Sequence, residues 1–238
     1  MSEAAAAFLR ARQRPLELVI FDCDGVLIDS EALCNRVVAE ILTEAGWPMT
    51  AKECTDRFIG MSFYAMQPEI EARLGRSLGD DWVDRVVDVV TAAMKREAEP
   101  VAGAREALDA VMAMGLNWRI ASNSSHLEMA AKFGRVGWLE LVAGRVHSSV
   151  DVIARGGAGK PAPDLFLAAA AAAAVAPARC LVIEDSVHGA TAARAAGMDC
   201  LGFVPHGDAA ALRAAGAVPF HSMHDLPGLL RAALACPF

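Results

Sequence analysis

L-E-L-V-I-F at residues 16–21 runs straight into D-C-D-G at residues 22–25. A short, nearly unbroken apolar run reads as a strand buried on both faces, the kind found inside a parallel sheet. The carboxylates of Asp22 and Asp24 leave the end of that strand two residues apart. In extended backbone, side chains at that spacing point the same way, so the two acids share one small space. Unpaired they would repel; a divalent cation relieves the repulsion. Gly25 lets the chain turn sharply just beyond. Taken alone, D-x-D fits either such a site or a solvated acidic turn.

Downstream, residues 31–99 change character. Leu33, Val37, Val38, Ile41 and Leu42 recur at helical spacing, and Gly46 with Pro48 ends that helix. Thr50 and Glu53 form a capping box for the next helix. Ser62 suits an N-cap, with Pro68 expected to kink or restart that helix. Asp80 suits the cap of a longer helix carrying Trp82, Val83, Val86, Val87, Val90 and Met94. No segment of this block reads as a strand.

After Pro100 the rhythm alternates. The pattern predicts a helix at 103–114, a strand at 117–121, a helix opened by a Ser125/Glu128 capping box and a short strand at 141–143. A Gly-rich loop at 156–159, an Ala-rich helix from about residue 163 and a strand at 180–183 follow. A helix ending at Gly197, a strand at 200–204, a helix at 208–215, a strand at 217–220 and a helix at 225–235 complete the chain. Strands alternating with helices imply a parallel sheet covered on both faces. Such sheets bind ligands at the carboxyl ends of their strands. Ser122, Asn123, Lys160, Glu184 and Asp185 each fall at or just beyond a predicted strand end. Four acids, a hydroxyl and a lysine then meet, a set able to hold Mg²⁺ through oxygen ligands, grip a phosphoryl group and supply a nucleophile.

The runs D-C-D-G-V-L-I-D-S (22–30), S-N-S (122–124), G-K-P-A-P-D (159–164), V-I-E-D-S (182–186) and G-A-x-A-A-x-A-A-G-M (189–198) resemble the haloacid dehalogenase superfamily of phosphatases. They stand in the family's order and cover nearly the whole chain. The sugar-phosphate phosphatases and the beta-phosphoglucomutase-like branch are the most similar groups. The resemblance implies a Rossmann-like α/β core, residues 1–30 and 100–238, with an inserted all-helical cap at 31–99. It implies Asp22 as nucleophile, forming an aspartyl-phosphate. Asp24 would protonate the leaving oxygen and then activate water. Ser122 and the Asn123 amide would hold the phosphoryl oxygens, and Lys160 would neutralise nucleophile and phosphate. Mg²⁺ would be bound by Asp22, Asp185, the main-chain carbonyl of Asp24, and Glu184 directly or through water. The loop before Lys160 is longer than the family's usual one.

Within the family, dehalogenases lack the second aspartate, so Asp24 favours phosphoryl transfer. Lys52, the one lysine early in the cap, carries no mark of the Schiff-base lysine of phosphonate hydrolases. The mutase branch places a histidine where Cys34 stands and basic residues around a cap glycine. Here Ile59 and Phe63 flank Gly60, which favours hydrolysis over mutase chemistry. Arg57 and Gly60 are candidates for substrate contact, although Arg57 reads more readily as a solvated helix-end charge. Ser30 and Glu31 read either as contacts to a substrate hydroxyl or as caps of the first cap helix. His126 reads as a helix-start residue. His188, close to Asp185, reads as a surface or supporting group ahead of a group lying near the metal.

The chain has 238 residues, a net charge of −7 and no basic stripe, which disfavours a nucleic-acid partner. Its longest apolar run, 165–176, is far shorter than the roughly 20 residues that span a bilayer. The six cysteines form no C-x-x-C pair and sit largely in apolar runs, as expected of a reducing cytoplasm. The N-terminus lacks signal-peptide organisation. The expected ligand is a small phosphorylated metabolite, and a monomer is compatible with the sequence. A catalytically silent metabolite-binding module is the alternative from another class. A dinucleotide enzyme would need G-x-G-x-x-G after the first strand.

Overall fold

A computed structural model describes residues 2–58, 61 and 63–235. In chain order the elements are α1 (Glu3–Arg10), β1 (Leu18–Phe21), β2 (Ile28–Asp29), α2 (Glu31–Glu44), α3 (Ala51–Phe58), α4 (Phe63–Leu74), α5 (Trp82–Glu97) and β3 (Glu99–Pro100). Then come α6 (Ala104–Ala113), β4 (Asn117–Ser122), α7 (His126–Arg135), α8 (Leu139–Val142), β5 (Val146–Ser148), α9 (Ser149–Ala154) and α10 (Asp164–Ala172). The chain ends with β6 (Cys180–Glu184), α11 (Val187–Ala195), β7 (Asp199–Phe203), α12 (Ala210–Ala215), β8 (Val218–Phe220) and α13 (Leu226–Leu234).

Six strands form one parallel sheet in the order β5-β4-β1-β6-β7-β8. β1 lies centrally, with Phe21 beside Ile120 of β4 and Ile183 of β6. Its four residues are all buried because both faces are covered. Alternation then splits them. Val19 and Phe21 join Leu108, Phe133 and Leu229 on one face. Leu18 and Ile20 join Phe166, Ala170 and Ala193 on the other. The alanine-rich α10 is a packed helix: Leu165 and Phe166 anchor it, and Ala169 and Ala170 are buried.

Helices α2–α5 carry their own apolar cluster, built on Val38, Leu42, Phe58, Ile70, Trp82 and Val86. Both ends of this insertion leave the sheet side by side, because β2 and β3 pair antiparallel, Ile28 with Pro100 and Asp29 with Glu99. That ribbon is a strand pair the sequence patterning did not show. Two residues per strand carry no periodicity, and the register exists only through its partner.

Three expectations are corrected. Residues 141–143 are not a strand: Leu139–Val142 is a helical turn, and the strand is Val146–Ser148, beside β4. Short apolar runs serve a buried helical turn as well as a strand, and Val142 is buried in the core in helical form. The helix expected to start from Asp80 starts at Trp82; Asp81 holds the N-cap position without a capping bond and pairs with Arg85 instead. Pro68 lies inside α4 rather than restarting it. The Ser62 cap lies outside the described residues. Both capping boxes form: Thr50 N donates to Glu53 Oε2 at 2.8 Å, and Ser125 N donates to Glu128 Oε2 at 2.7 Å. The sequence reading assigned the N-terminal segment no structure. It folds as α1 and buries Ala5, Ala6 and Leu9 in the same core as α13.

Candidate active site

β1 delivers Asp22 to the carboxyl edge of the sheet, where its N–H donates to the carbonyl of Ile183 at 2.9 Å. Across that edge β6 ends in Glu184. The long loop before α10 brings Lys160 between them. Its Nζ lies 2.5 Å from Asp22 Oδ1 and 2.7 Å from Glu184 Oε1, and 4.8 Å from the centre of the Phe166 ring. The Asn123 side chain fastens that loop: its Oδ1 accepts from Lys160 N at 3.0 Å and its Nδ2 donates to Lys160 O at 3.3 Å. The longer loop therefore still seats Lys160, and the Asn123 side-chain amide is spent on doing so.

Glu184 Oε2 accepts from Asp185 N, Ser186 N and Ser186 Oγ at 3.0, 2.9 and 2.9 Å. Gly189 explains how it fits: a Cβ there would lie 1.7 Å from Glu184 Oε1. Asp22, Glu184 and Asp185 each bring a carboxylate oxygen within 4.8 Å of the others. Gly25 meets a double requirement. Its φ is +72°, and a Cβ would sit 1.9 Å from Asp185 Oδ2. Gly25→Ala is expected to cost about 2 kcal/mol or more and to lower the thermal midpoint by about 4–8 °C, read by calorimetry. An unchanged midpoint would refute this account of the turn.

Asp24 stands apart from the acidic trio. Its Oδ1 accepts from Lys132 Nζ at 2.6 Å and from Ser30 Oγ; its Oδ2 accepts from Ser124 Oγ at 2.9 Å and Ser122 Oγ at 3.4 Å. Ser30 thus makes no capping bond to α2. Glu31 is exposed at the start of α2, close enough for its charge to act on Asp185. Arg57 is engaged elsewhere, 2.5 Å from Glu69 and stacked 5.0 Å over Trp47. Gly60 and Ile59 lie outside the described residues. His126 opens α7 and contacts Asp151 at 2.8 Å, and His188 is exposed on α11. Lys132 and Ser124 were missed by the sequence reading. The available signal was a lysine between Met129 and Phe133 on the buried stripe of α7, where an unpaired charge is disfavoured.

The two aspartates sit in opposite electrostatic settings. Burial raises the Asp22 carboxyl to about 7; Lys160 opposes the rise, while the charges of Glu184 and Asp24 add to it. Burial, then Glu184, Asp22 and Glu31, push Asp185 well above the usual carboxylate range. Burial also works on Asp24, but the Lys132 charge and the bonds from Lys132, Ser30 and Ser124 outweigh it and hold this carboxyl below its ordinary value. For Lys160, burial is overcome by Asp22 and Glu184, so the ammonium stays protonated. Three clustered carboxylates against one lysine leave an unbalanced negative charge in oxygen-rich surroundings, which fits a hard dication.

Fold and site together define an α/β protein with clustered acids and a buried lysine at the carboxyl edge of a parallel sheet. The family model described as haloacid dehalogenase-like hydrolase matches residues 16–197, and the chain belongs to that family. It is 30% identical over 194 residues to the 6-phosphogluconate phosphatase of Escherichia coli K12, covering 80% of this chain and 85% of that protein. It is similar to a haloacid dehalogenase family hydrolase of Deinococcus radiodurans solved with bound phosphate and sodium: TM-score 0.79, 34% identity, 94% of this chain and 99% of that one. A putative beta-phosphoglucomutase from Thermotoga maritima superposes with TM-score 0.76 at 27% identity, covering 91% and 99%. Among the described residues no helix is long and apolar enough to cross a membrane.

Proposed function

We propose that the chain is a Mg²⁺-dependent phosphomonoesterase that hydrolyses a small sugar or polyol phosphate through phospho-Asp22. The observation that carries this reading is the division of labour between two carboxylates two residues apart. Asp22 is paired with Lys160 inside the acidic trio; Asp24 is turned away from it into a separate set of donors. One is placed to attack and the other to move a proton. Asp24, held ionised in the free site by its donors, first takes the proton of a phosphate monoanion. An oxygen of Asp22 then attacks phosphorus as the bond to the leaving alkoxide breaks, and Asp24 passes that proton to the alkoxide. Asp24 then takes a proton from water, which attacks the phospho-aspartate and frees phosphate and Asp22. Lys160 and Ser122 hold the phosphoryl oxygens, with the Asn123 backbone N–H beside them. Asp22, Asp185, Glu184 and the Asp24 carbonyl are the residues that would hold Mg²⁺. The ion's contribution, when bound, is neutralisation of charge on the transferring group. Residues 1–30 and 100–238 act as the core, with 31–99 as a cap hinged on the β2–β3 ribbon.

Hydrolysis is favoured over the mutase reading at Cys34, which stands where the mutase branch has histidine. Burial, reinforced by Cys54, raises this thiol to about 11 even against Lys132. It remains neutral and cannot serve as a proton switch near neutral pH. The test is phosphate release from a panel of sugar, polyol and nucleotide monophosphates, with Mg²⁺ and with EDTA. Mg²⁺-dependent release supports the reading; formation of a phosphate isomer from beta-glucose 1-phosphate without release would replace it.

Stability gives a second check. Folded Asp22 keeps its proton to about pH 7, whereas the unfolded group loses it near 4. The metal-free fold therefore loses stability as pH rises through that window. A bound dication substitutes for the proton. Saturating Mg²⁺ should raise the thermal midpoint by roughly 5–10 °C at about pH 8 and by less than about half of that at about pH 5. An equal rise at both pH values would contradict cation binding at Asp22.

A further inference from the structure

Lys132 reaches Asp24 from α7. It is carried by α7 on the buried stripe that also bears Met129 and Phe133, and only 6% of its side chain is exposed. Its ammonium contacts Asp24 Oδ1 at 2.6 Å and Ser124 Oγ at 3.0 Å. Such a pair is a poor source of stability, because desolvating two charges offsets most of their attraction. What it does supply is direction. Lys132 and Ser30 both bind Oδ1, and Lys132 also contacts Ser124, the hydroxyl that donates to Oδ2, so the lysine fixes the carboxylate's orientation through both oxygens. The other, Oδ2, faces Ser124 and Ser122, and Ser122 is the hydroxyl placed to hold the phosphoryl group. The site thus has two buried lysines with separate charges, Lys160 on Asp22 and Lys132 on Asp24.

We propose that Lys132 is a positioning residue that clamps Oδ1 of Asp24 so that Oδ2 is aimed at the leaving oxygen for proton transfer. The inference rests on the hydrolytic reading above. In the first half-reaction the proton leaves Asp24 Oδ2 for the departing alkoxide as the phosphorus–oxygen bond breaks. In the second it returns to Oδ2 from the attacking water. Lys132 keeps its own protons throughout.

A leaving group that departs without a proton does not need an aimed acid, and this separates positioning from general damage. Lys132→Met, Lys132→Arg, Asp24→Asn and the Asp24→Asn/Lys132→Met pair are compared on two substrates. One is the primary alkyl phosphate, sorbitol 6-phosphate or 6-phosphogluconate, that the unaltered enzyme turns over faster. The other is para-nitrophenyl phosphate. Lys132→Met should lower kcat/KM on the alkyl phosphate about 10–100-fold, within the range general acids supply, and on the nitrophenyl ester less than about 3-fold. Lys132→Arg should recover part of the loss. In the Asp24→Asn background Lys132→Met should add nothing, since the effect runs through Asp24. This comparison also serves if Lys132→Met alone fails to fold, because the double variant buries no unpaired charge. Equal losses on both substrates, no loss on either, or a further loss in the Asp24→Asn background would overturn the proposal. If the unaltered enzyme releases phosphate from no compound of the panel above, the hydrolytic reading itself fails, and this inference falls with it.

Discussion

Asp22→Asn should lower phosphate release by about 10⁴-fold or more while leaving the protein folded. Asparagine has nearly the same shape and can keep an oxygen toward Lys160, which retains Glu184 as its charged partner 2.7 Å away. The amide oxygen is a far weaker nucleophile than a carboxylate, so the attack on phosphorus is lost while the surroundings persist. The substitution also removes one of three crowded acids. Without metal the variant should match or exceed the parent in thermal midpoint at neutral pH, because the buried carboxyl that resists ionisation is gone. Inactivity together with an undiminished midpoint is the diagnostic pair. Release above about 1% of the parent rate would remove Asp22 from the nucleophile's role.

Lys160→Met should damage both stability and catalysis. The ammonium is buried between two carboxylates with only 4% of its side chain exposed. Removing one partner of a buried ion pair leaves charge uncompensated and costs about 3–5 kcal/mol, or roughly 6–20 °C in thermal midpoint for a chain of this size. Methionine replaces the aliphatic stem but not the ammonium that lies over the Phe166 ring. Asp22 loses the one influence that lowers its carboxyl among those acting on it most strongly, so the proposed nucleophile is more fully protonated near neutrality. Phosphate release at about pH 7 should fall by about 10³-fold. The stability deficit should shrink toward about pH 5, where Asp22 is protonated in parent and variant alike. A variant as stable as the parent across that range would show that the Lys160 charge is not what holds the acidic edge together.

How far the site was readable depended on where each residue's signal came from. Asp22, Asp24, Ser122, Lys160, Glu184 and Asp185 were legible because each follows an apolar run or a distinctive loop. Parallel strands gather their carboxyl ends on one edge. Arg57 pairs with Glu69 and lies over Trp47, which the sequence does not show, because a charge at a helix end looks the same there whatever it faces. Ser30 makes no capping bond to α2 and donates to Asp24, a remote partner that the motif does not name. The side chain of Asn123 has a task that its place in the motif does not show, seating Lys160.

The sequence by itself determined the alternating strand–helix core, the helical insertion after the first motif and the acids and lysine at the strand ends. Those features are carried by local periodicity, turn residues and short motifs, each written within a few consecutive positions. Only the tertiary structure decided that Lys132 answers Asp24 across 108 positions of chain, that a two-residue ribbon closes the insertion, and that Val146 rather than Leu141 enters the sheet. In each case the partner is remote, and neither hydrophobic period nor propensity encodes which distant group a side chain will meet. That choice is made when burial forces every charge and backbone group to find a counterpart.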